Sequence, residues 1–208
     1  MSVILSSLFV SGFYLLGKEI TNIFYLKKVV EKISDSNFQY PCLGIAYFIF
    51  VLYPIFFLEL YNKLFFIIIS SIILILGLLN IFLNFKRIID FFKKKIIEHR
   101  KISSEGLLVT ILISLYFLTA ISPITSGDSV SYHMGSAKYI FENGIFSKDV
   151  FSPENPLVGA GEFLNTFAFS VNAMQFTSLI NFLGLVSILG IIKKFCFYSK
   201  LSYNNKNI

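Results

Sequence analysis

The sequence predicts an all-α, polytopic membrane protein with about five transmembrane helices and one helical loop outside the cytoplasm. Two observations indicate this class. Hydrophobic residues make up 55% of the 208 positions and charged residues only 14%. That is too little charge for the surface of a soluble domain and too much apolar character for a disordered chain. Uncharged apolar segments also recur at lengths near the roughly 20 residues that cross a bilayer as a helix.

Five segments are predicted to span the membrane. The first is short, but it is uncharged and lacks the basic start and small-residue cleavage site of a signal peptide. The predicted spans are Ser2–Gly17, Leu43–Leu60, Leu64–Phe85, Gly106–Ser122 and Gln175–Ile192. We divide the chain into an N-terminal region of residues 1–105 and a second region of residues 106–208, which begins at the fourth span.

The distribution of basic residues predicts the orientation of these spans. The segments after the first span, between the third and fourth spans, and after the last span together hold fifteen of the 18 lysines and arginines. Basic residues accumulate in cytoplasmic segments of membrane proteins. We therefore expect the N-terminus and the loop 123–174 to lie outside and the C-terminus to lie in the cytoplasm.

The stretch Leu157–Ala173 is long enough to span the membrane, but its polar residues argue against it. Glu162 would enter hydrocarbon at a cost of about 2.5–3.5 kcal/mol near the bilayer centre. Glu162, Asn165 and Asn172 instead recur at helical offsets and form one polar stripe. We predict a helix that lies in the interface at the outer membrane surface.

Phe85–Lys101 reads as an amphipathic helix on the cytoplasmic side, in the N-terminal region of the chain. Its apolar residues recur with helical spacing, and its lysines and arginines fall between them. We interpret the basic residues as contacts to anionic lipid headgroups, with a more specific lipid or nucleic-acid site as the alternative. The net charge of +6 therefore indicates cytoplasmic lysines, and we predict no nucleic-acid partner.

The loop 123–174 holds the candidate site. A helix is predicted from about Ser129 to Asn143, with Gly144 as its C-cap. Asp128 precedes this helix just beyond the fourth span, and Tyr132 and His133 lie near enough to flank a shared site. The carboxylate could act as a general base toward a hydroxyl or as an oxygen ligand for a divalent cation. The alternative is that Asp128 only caps its helix.

Other residue types have simpler interpretations. Histidine at position 133 could equally be an ordinary interfacial side chain. Lys138 and Glu142 are separated by one helical turn, which is typical of a solvated ion pair. The two cysteines, Cys42 and Cys196, cannot form a disulfide framework, and their spacing fits no metal site.

One motif resembles a known family. The pattern D-x-x-x-Y-H-x-x-x-A-K-Y-x-x-x-x-G begins at Asp128, immediately after a hydrophobic span, and N-P-L-V-G-A-G-E-F-L-N follows from Asn155. This order resembles the first extracytoplasmic loop and the Pro-led juxtamembrane segment of the GT-C membrane glycosyltransferases, closest to bacterial RgtA/B/C/D-like members. The resemblance covers about residues 106–195. The motif residues are Asp128, Tyr132, His133, Ala137, Lys138, Tyr139 and Gly144.

The resemblance implies a function. It implies transfer of a sugar from a polyprenyl-phosphate donor, with inversion at the anomeric carbon, outside the bacterial cytoplasmic (inner) membrane. The family carboxylate, a general base or a metal contact, carries over to Asp128. Tyr132, His133, Lys138 and Glu162 would then line the substrate. The metal-contact role would require a divalent cation, whereas the general-base role would not, so the cofactor is left open. The implied partners are membrane lipids and the lipid-linked donor.

Two departures from the family pattern leave an alternative open. Many members carry a second acid beside the first, whereas Gly127 and Ser129 flank Asp128 here. Family enzymes also have many more spans, so the chain would be an N-terminal, truncated portion that needs another chain to supply the remaining helices. The alternative is a non-catalytic polytopic membrane protein, either a partner subunit or an inactive relative.

Overall fold

The computed structural model describes residues 1–24, 39–58, 62–97, 104–123, 134–144 and 159–205. Within these ranges the secondary structure consists of seven helices, with no strand. They are α1 (Ser2–Ile23), α2 (Gln39–Phe57), α3 (Lys63–Ile97), α4 (Ser104–Ile121), α5 (Gly135–Asn143), α6 (Ala160–Ser170) and α7 (Phe176–Asn205). The predicted all-α class is confirmed.

Three of these helices are long and apolar enough to cross a membrane. Their apolar stretches are Ser2–Ile23, Lys63–Lys86 and Phe176–Cys196. Two further helices contain shorter apolar stretches, Gln39–Ile55 and Gly106–Ile121. The five apolar helices correspond to the five predicted spans, and the chain is a multi-pass helical membrane protein.

Helix α1 lies at the centre of the bundle because glycines allow its backbone to approach two neighbours. A methyl group built on Gly12 would overlap the Ile73 carbonyl oxygen of α3, and one built on Gly77 would overlap the backbone of α1. Gly17 of α1 and Gly44 of α2 form a second crossing of the same kind. Small residues at helix crossings are typical of membrane bundles, where close van der Waals packing drives association.

The apolar helices alternate in direction. The first turn of α1 contacts the residues just before α7, since the Met174 N–H donates to the Ser2 hydroxyl over 3.0 Å. The first turns of α3 contact α6, where the Ser70 hydroxyl donates to the Phe167 carbonyl oxygen over 2.8 Å. Helices α1, α3 and α7 therefore begin at one end of the bundle. Helix α2 runs the opposite way, because its first turns cross the second half of α1 near Gly17.

A cluster of phenylalanines fills the core at the end where α6 lies. Phe167 of α6 is fully buried and packs edge-on against Phe48 and Phe66, with ring centroids 5.0 Å apart in each case. Edge-to-face geometry is favourable because the positive ring edge meets the negative face of its neighbour. The other fully buried rings are Phe9, Phe13, Phe66, Phe163 and Phe176. This core joins α1, α2, α3, α6 and α7.

The structure corrects the prediction for Leu157–Ala173. Helix α6 has 11 residues, about 17 Å, which is too short to span a bilayer. It is also not an exposed surface helix, because seven consecutive residues from Glu162 to Ala168 are buried against other helices. The predicted polar stripe is also interrupted, since Asn172 lies beyond the helix in a turn, exposed and with a φ of 56°.

Three helices extend well beyond their predicted spans, and one of them, α7, continues past Ile192 to Asn205. Helix α1 continues past Gly17 to Ile23. Helix α3 runs without interruption to Ile97, so the predicted juxtamembrane helix is the continuation of a span rather than a separate element. At 35 residues, or about 52 Å, α3 exceeds the hydrocarbon thickness by roughly 20 Å.

Candidate functional site

The candidate site lies at the end of the bundle where α5 and α6 pack together. Both helices belong to the segment between α4 and α7, and α6 also contacts α2, α3 and α7. The helix α5 ends as predicted, because Gly144 adopts the left-handed conformation with a φ of 70° and its N–H donates to the Ile140 carbonyl oxygen over 2.8 Å. The loop therefore forms a folded layer over the phenylalanine core.

Glu162 is the buried carboxylate of this layer. Its side chain accepts a hydrogen bond from the Gly159 N–H at 2.8 Å, and the residue is only 7% exposed. Gly159 is the N-cap of α6, and Glu162 is the third helical residue. A glutamate at this position satisfies a backbone N–H that the helix itself leaves unpaired, and its charge favours the helix N-terminus. Glu162 therefore has a positioning role in starting α6.

Serine side chains connect the other end of α6 to α3. Ser70 of α3 is fully buried, and its hydroxyl contacts the Phe167 carbonyl oxygen. The Ser170 hydroxyl lies 2.9 Å from the Ser70 hydroxyl and also reaches the Phe167 carbonyl oxygen at 2.7 Å. These contacts satisfy a carbonyl at the C-terminal turn of α6, which has no partner further along the helix.

A second polar group connects α6, α7 and the start of the chain. The Thr177 hydroxyl donates to the side-chain oxygen of Asn165, which is 3% exposed. Nearby in sequence, the Ser2 hydroxyl donates to the side chain of Gln175, which is 8% exposed. Buried polar groups are costly when unpaired, so these pairs fix the junction between α6 and α7.

Helix α5 presents the charged side chains of the layer. Lys138 and Glu142 form the predicted i,i+4 pair, with 3.9 Å between Nζ and Oε1, and both side chains are more than half exposed. The Nζ of Lys63, at the start of α3, lies 5.0 Å from the centroid of the Phe141 ring. This cation–π contact joins α5 to α3.

The predicted site residues divide into two groups. Lys138 and Glu162 both belong to the layer, the first on its exposed surface and the second buried within it. Asp128, Tyr132 and His133 lie outside the described residues. Across the ranges that the structure describes, no group of three His, Cys, Asp or Glu side chains could hold a metal ion.

Sequence reasoning missed the residues that hold the layer in place. Lys63, Ser70 and Gln175 are isolated polar residues inside or beside apolar helices. Within a predicted span, such a residue is a signal of contact with protein rather than with lipid. That signal identifies the residue but does not identify its partner, which is 100 positions away for the pair formed by Ser70 and Ser170.

The helices and this buried layer together define a class: a multi-pass membrane protein in which a loop between two apolar helices folds back into the bundle. A family model described as the DUF1420 N-terminal domain matches residues 81–208, which is more than half of the chain. The chain belongs to this family. The match includes α4 to α7 and thus both helices of the layer. No curated protein and no solved structure matches the chain.

Proposed function

We propose that the chain is the N-terminal portion of a membrane glycosyltransferase that transfers a sugar from a polyprenyl-phosphate donor on the extracytoplasmic side. The observation that carries this proposal is the folding of the loop after α4 into a layer with a buried core. Asp128 precedes the first residue of α5 by only seven positions, so the chain keeps it within reach of this layer. The order of span, acid, helix, glycine and returning span agrees with the GT-C resemblance.

In this proposal the two regions of the chain have different roles. The region from residue 106 onward supplies the carboxylate and the layer that receives substrate. The N-terminal region supplies the helices against which the layer packs, through contacts such as that of Ser70 with Phe167. The orientation proposed from the basic residues places the layer outside the bacterial cytoplasmic membrane.

The chemistry assigned to Asp128 is general-base catalysis. Its carboxylate accepts the proton of an acceptor hydroxyl as the hydroxyl oxygen attacks the anomeric carbon of the donor sugar. The bond between that carbon and the phosphate oxygen breaks, and the polyprenyl phosphate leaves. A positioned base of this kind contributes about 10²–10⁴-fold to a rate. Tyr132 and His133 are assigned to the same site, and no step is assigned to a metal ion.

The test is sugar transfer from a polyprenyl-phosphate donor by membranes that contain the chain together with the other subunits or domains it functions with. We expect Asp128→Asn to lower the turnover rate by about 10²-fold or more, since the amide cannot accept the proton. The control is Glu142→Gln, which removes an exposed carboxylate from the same loop and is expected to retain activity. Undiminished transfer by Asp128→Asn, in protein that folds normally, would overturn the assignment.

A non-catalytic partner subunit is the second candidate. The observation that favours it is helix α4, whose apolar side chains are mostly exposed although it packs on α7. Such a helix suits a subunit that binds further membrane helices from another chain. Under this alternative, removal of the chain abolishes transfer by its partner, whereas Asp128→Asn has no effect.

A further inference from the structure

The end of the bundle opposite α6 carries lysines on three neighbouring helices. Helices α1, α3 and α7 all begin near α6, so each of them ends on the opposite side. We define the basic rim as Lys18 of α1, Lys86 of α3 and Lys193 of α7. Because α1 packs against both α3 and α7, its lysine lies on the helix between the other two.

The crossing of α1 and α3 sets the relative depth of two rim lysines. Gly12 and Gly77 mark this crossing. Lys18 lies six residues beyond Gly12, about 9 Å along the helix axis, and Lys86 lies nine residues beyond Gly77, about 14 Å. The two lysines therefore differ in depth by about one helical turn.

Helix α7 brings its lysines to a similar depth. The Ser187 hydroxyl of α7 lies 3.9 Å from the sulfur of Cys42 on α2. Cys42 precedes Gly44 by two residues, and Gly44 is where α2 crosses α1 at Gly17. Counted along α1 from Gly12 to Gly17, the crossing with α2 lies five residues, or about 8 Å, beyond the crossing with α3. Lys193 lies a further six residues along, so its depth is about 17–20 Å and matches that of the α3 lysine to about one helical turn.

This depth coincides with the boundary of the apolar segments. The apolar stretch of α3 ends at Lys86 and that of α7 ends at Cys196. Lysine side chains at such a boundary extend their ammonium groups toward the headgroups. The acids described at this end are Glu19 of α1, Asp90 of α3 and Glu105 in the first turn of α4, and Glu19 already accepts a hydrogen bond from the Asn22 amide at 3.5 Å. The helices that end here carry more lysines than these three acids, so positive charge predominates at this end.

We propose that the basic rim binds the phosphate groups of anionic phospholipids in the leaflet at that end of the bundle. The helices hold Lys86 and Lys193 at a similar depth, with Lys18 about one to two helical turns nearer the middle of the bundle, before any lipid arrives, so binding requires little rearrangement of the protein. The rim lies far from α6, so the proposal is independent of the catalytic one.

The experiment titrates the purified full chain, in an uncharged detergent, with phosphatidylglycerol and records the temperature of unfolding. The lipid is expected to raise this temperature, because a ligand of the folded state stabilises it. Lys86→Gln/Lys193→Gln is expected to weaken the apparent affinity by about 30-fold, since each lysine near a headgroup contributes about fivefold. Lys86→Arg/Lys193→Arg, which keeps the charges, is expected to restore it.

The matched control is Lys63→Gln/Lys138→Gln, which removes two cations from the opposite end of the protein. It should respond to phosphatidylglycerol as the unmodified chain does, and phosphatidylcholine with the same acyl chains should give no comparable shift. Three results would overturn the proposal. They are an equal loss in the control variant, an unchanged affinity in the Gln variant of the rim, and an equal shift with inorganic phosphate in place of the lipid.

Discussion

Helices α4 and α6 differ in burial, and the difference is the opposite of what their compositions suggest. Helix α4 has 18 residues, with no charge from Gly106 to Ile121, yet Leu108, Leu112 and Leu115 are each more than half exposed. Helix α6 has 11 residues and includes Glu162 and Asn165, yet seven of its residues are buried. The less hydrophobic helix is therefore the one that the protein encloses.

The physical reason is that lipid and protein compete for apolar side chains on nearly equal terms. A leucine gains little by leaving hydrocarbon tails for a protein interior, whereas a polar group in hydrocarbon needs a hydrogen-bonding partner. Glu162 and Asn165 obtain partners from Gly159 and Thr177. Within a membrane bundle, polar residues therefore mark a helix that contacts protein, and uniform hydrophobicity marks one that faces lipid.

The largest expected effect is on the buried phenylalanines of α6. Phe167→Ala removes a fully buried ring that packs against Phe48, Phe65, Phe66 and Phe163. We expect a loss of about 3 kcal/mol in the free energy of unfolding. This is the low end for loss of a buried phenylalanine, because lipid also solvates apolar side chains when the helices separate. Reversible unfolding in mixed micelles, followed by circular dichroism, measures this loss.

The matched change on α4 is Leu112→Ala. The Leu112 side chain is 56% exposed, so its removal leaves no cavity and is expected to change the free energy of unfolding by less than about 0.5 kcal/mol. Equal destabilisation by the two substitutions would show that α4 is as well packed as α6 and would remove the contrast between them.

A smaller effect is expected at the start of α6. Glu162→Ala removes the acceptor of the Gly159 N–H and is expected to cost about 1 kcal/mol, whereas Glu162→Gln should cost less because glutamine also serves at this helix position. The same unfolding measurement distinguishes the two variants. If Glu162 instead served only to bind substrate, both variants would retain full stability and would lose activity alike.

Much of the fold could be predicted from composition and spacing. The five apolar segments, the cap at Gly144 and the pair of Lys138 with Glu142 follow from local rules on hydrophobic length, left-handed glycine and i,i+4 spacing, and the structure confirms them. Local rules suffice there because each feature depends on residues within a few positions of one another. The catalytic role of Asp128 comes from the family resemblance instead, and it stays a prediction.

The depth of α6 could not be predicted in this way. A stretch that contains Glu162 and Asn165 is compatible with a helix on the membrane surface and with a helix inside the protein, since both environments can satisfy polar groups. The choice depends on partners that are distant in sequence, such as Ser70 of α3 and Thr177 of α7. Periodicity describes one helix face at a time and carries no information on which neighbour that face meets.

The most direct test is a disulfide between α3 and α6. Ser70→Cys/Ser170→Cys, with Cys42 and Cys196 replaced by serine, places two thiols where the hydroxyl oxygens are 2.9 Å apart. Oxidation in intact membranes is expected to join residues 70 and 170, which a protease cut between them followed by electrophoresis would detect.

Two further cysteine pairs serve as the positive and the negative control. Ser187→Cys with the native Cys42 retained should also form a disulfide, because these side chains lie 3.9 Å apart. Leu112→Cys paired with Ser70→Cys should not, since the Leu112 side chain is largely exposed on α4. If α6 is buried in the bundle, the 70–170 pair crosslinks as readily as the 42–187 pair. Failure of the 70–170 pair while the 42–187 pair forms would contradict the buried position of α6.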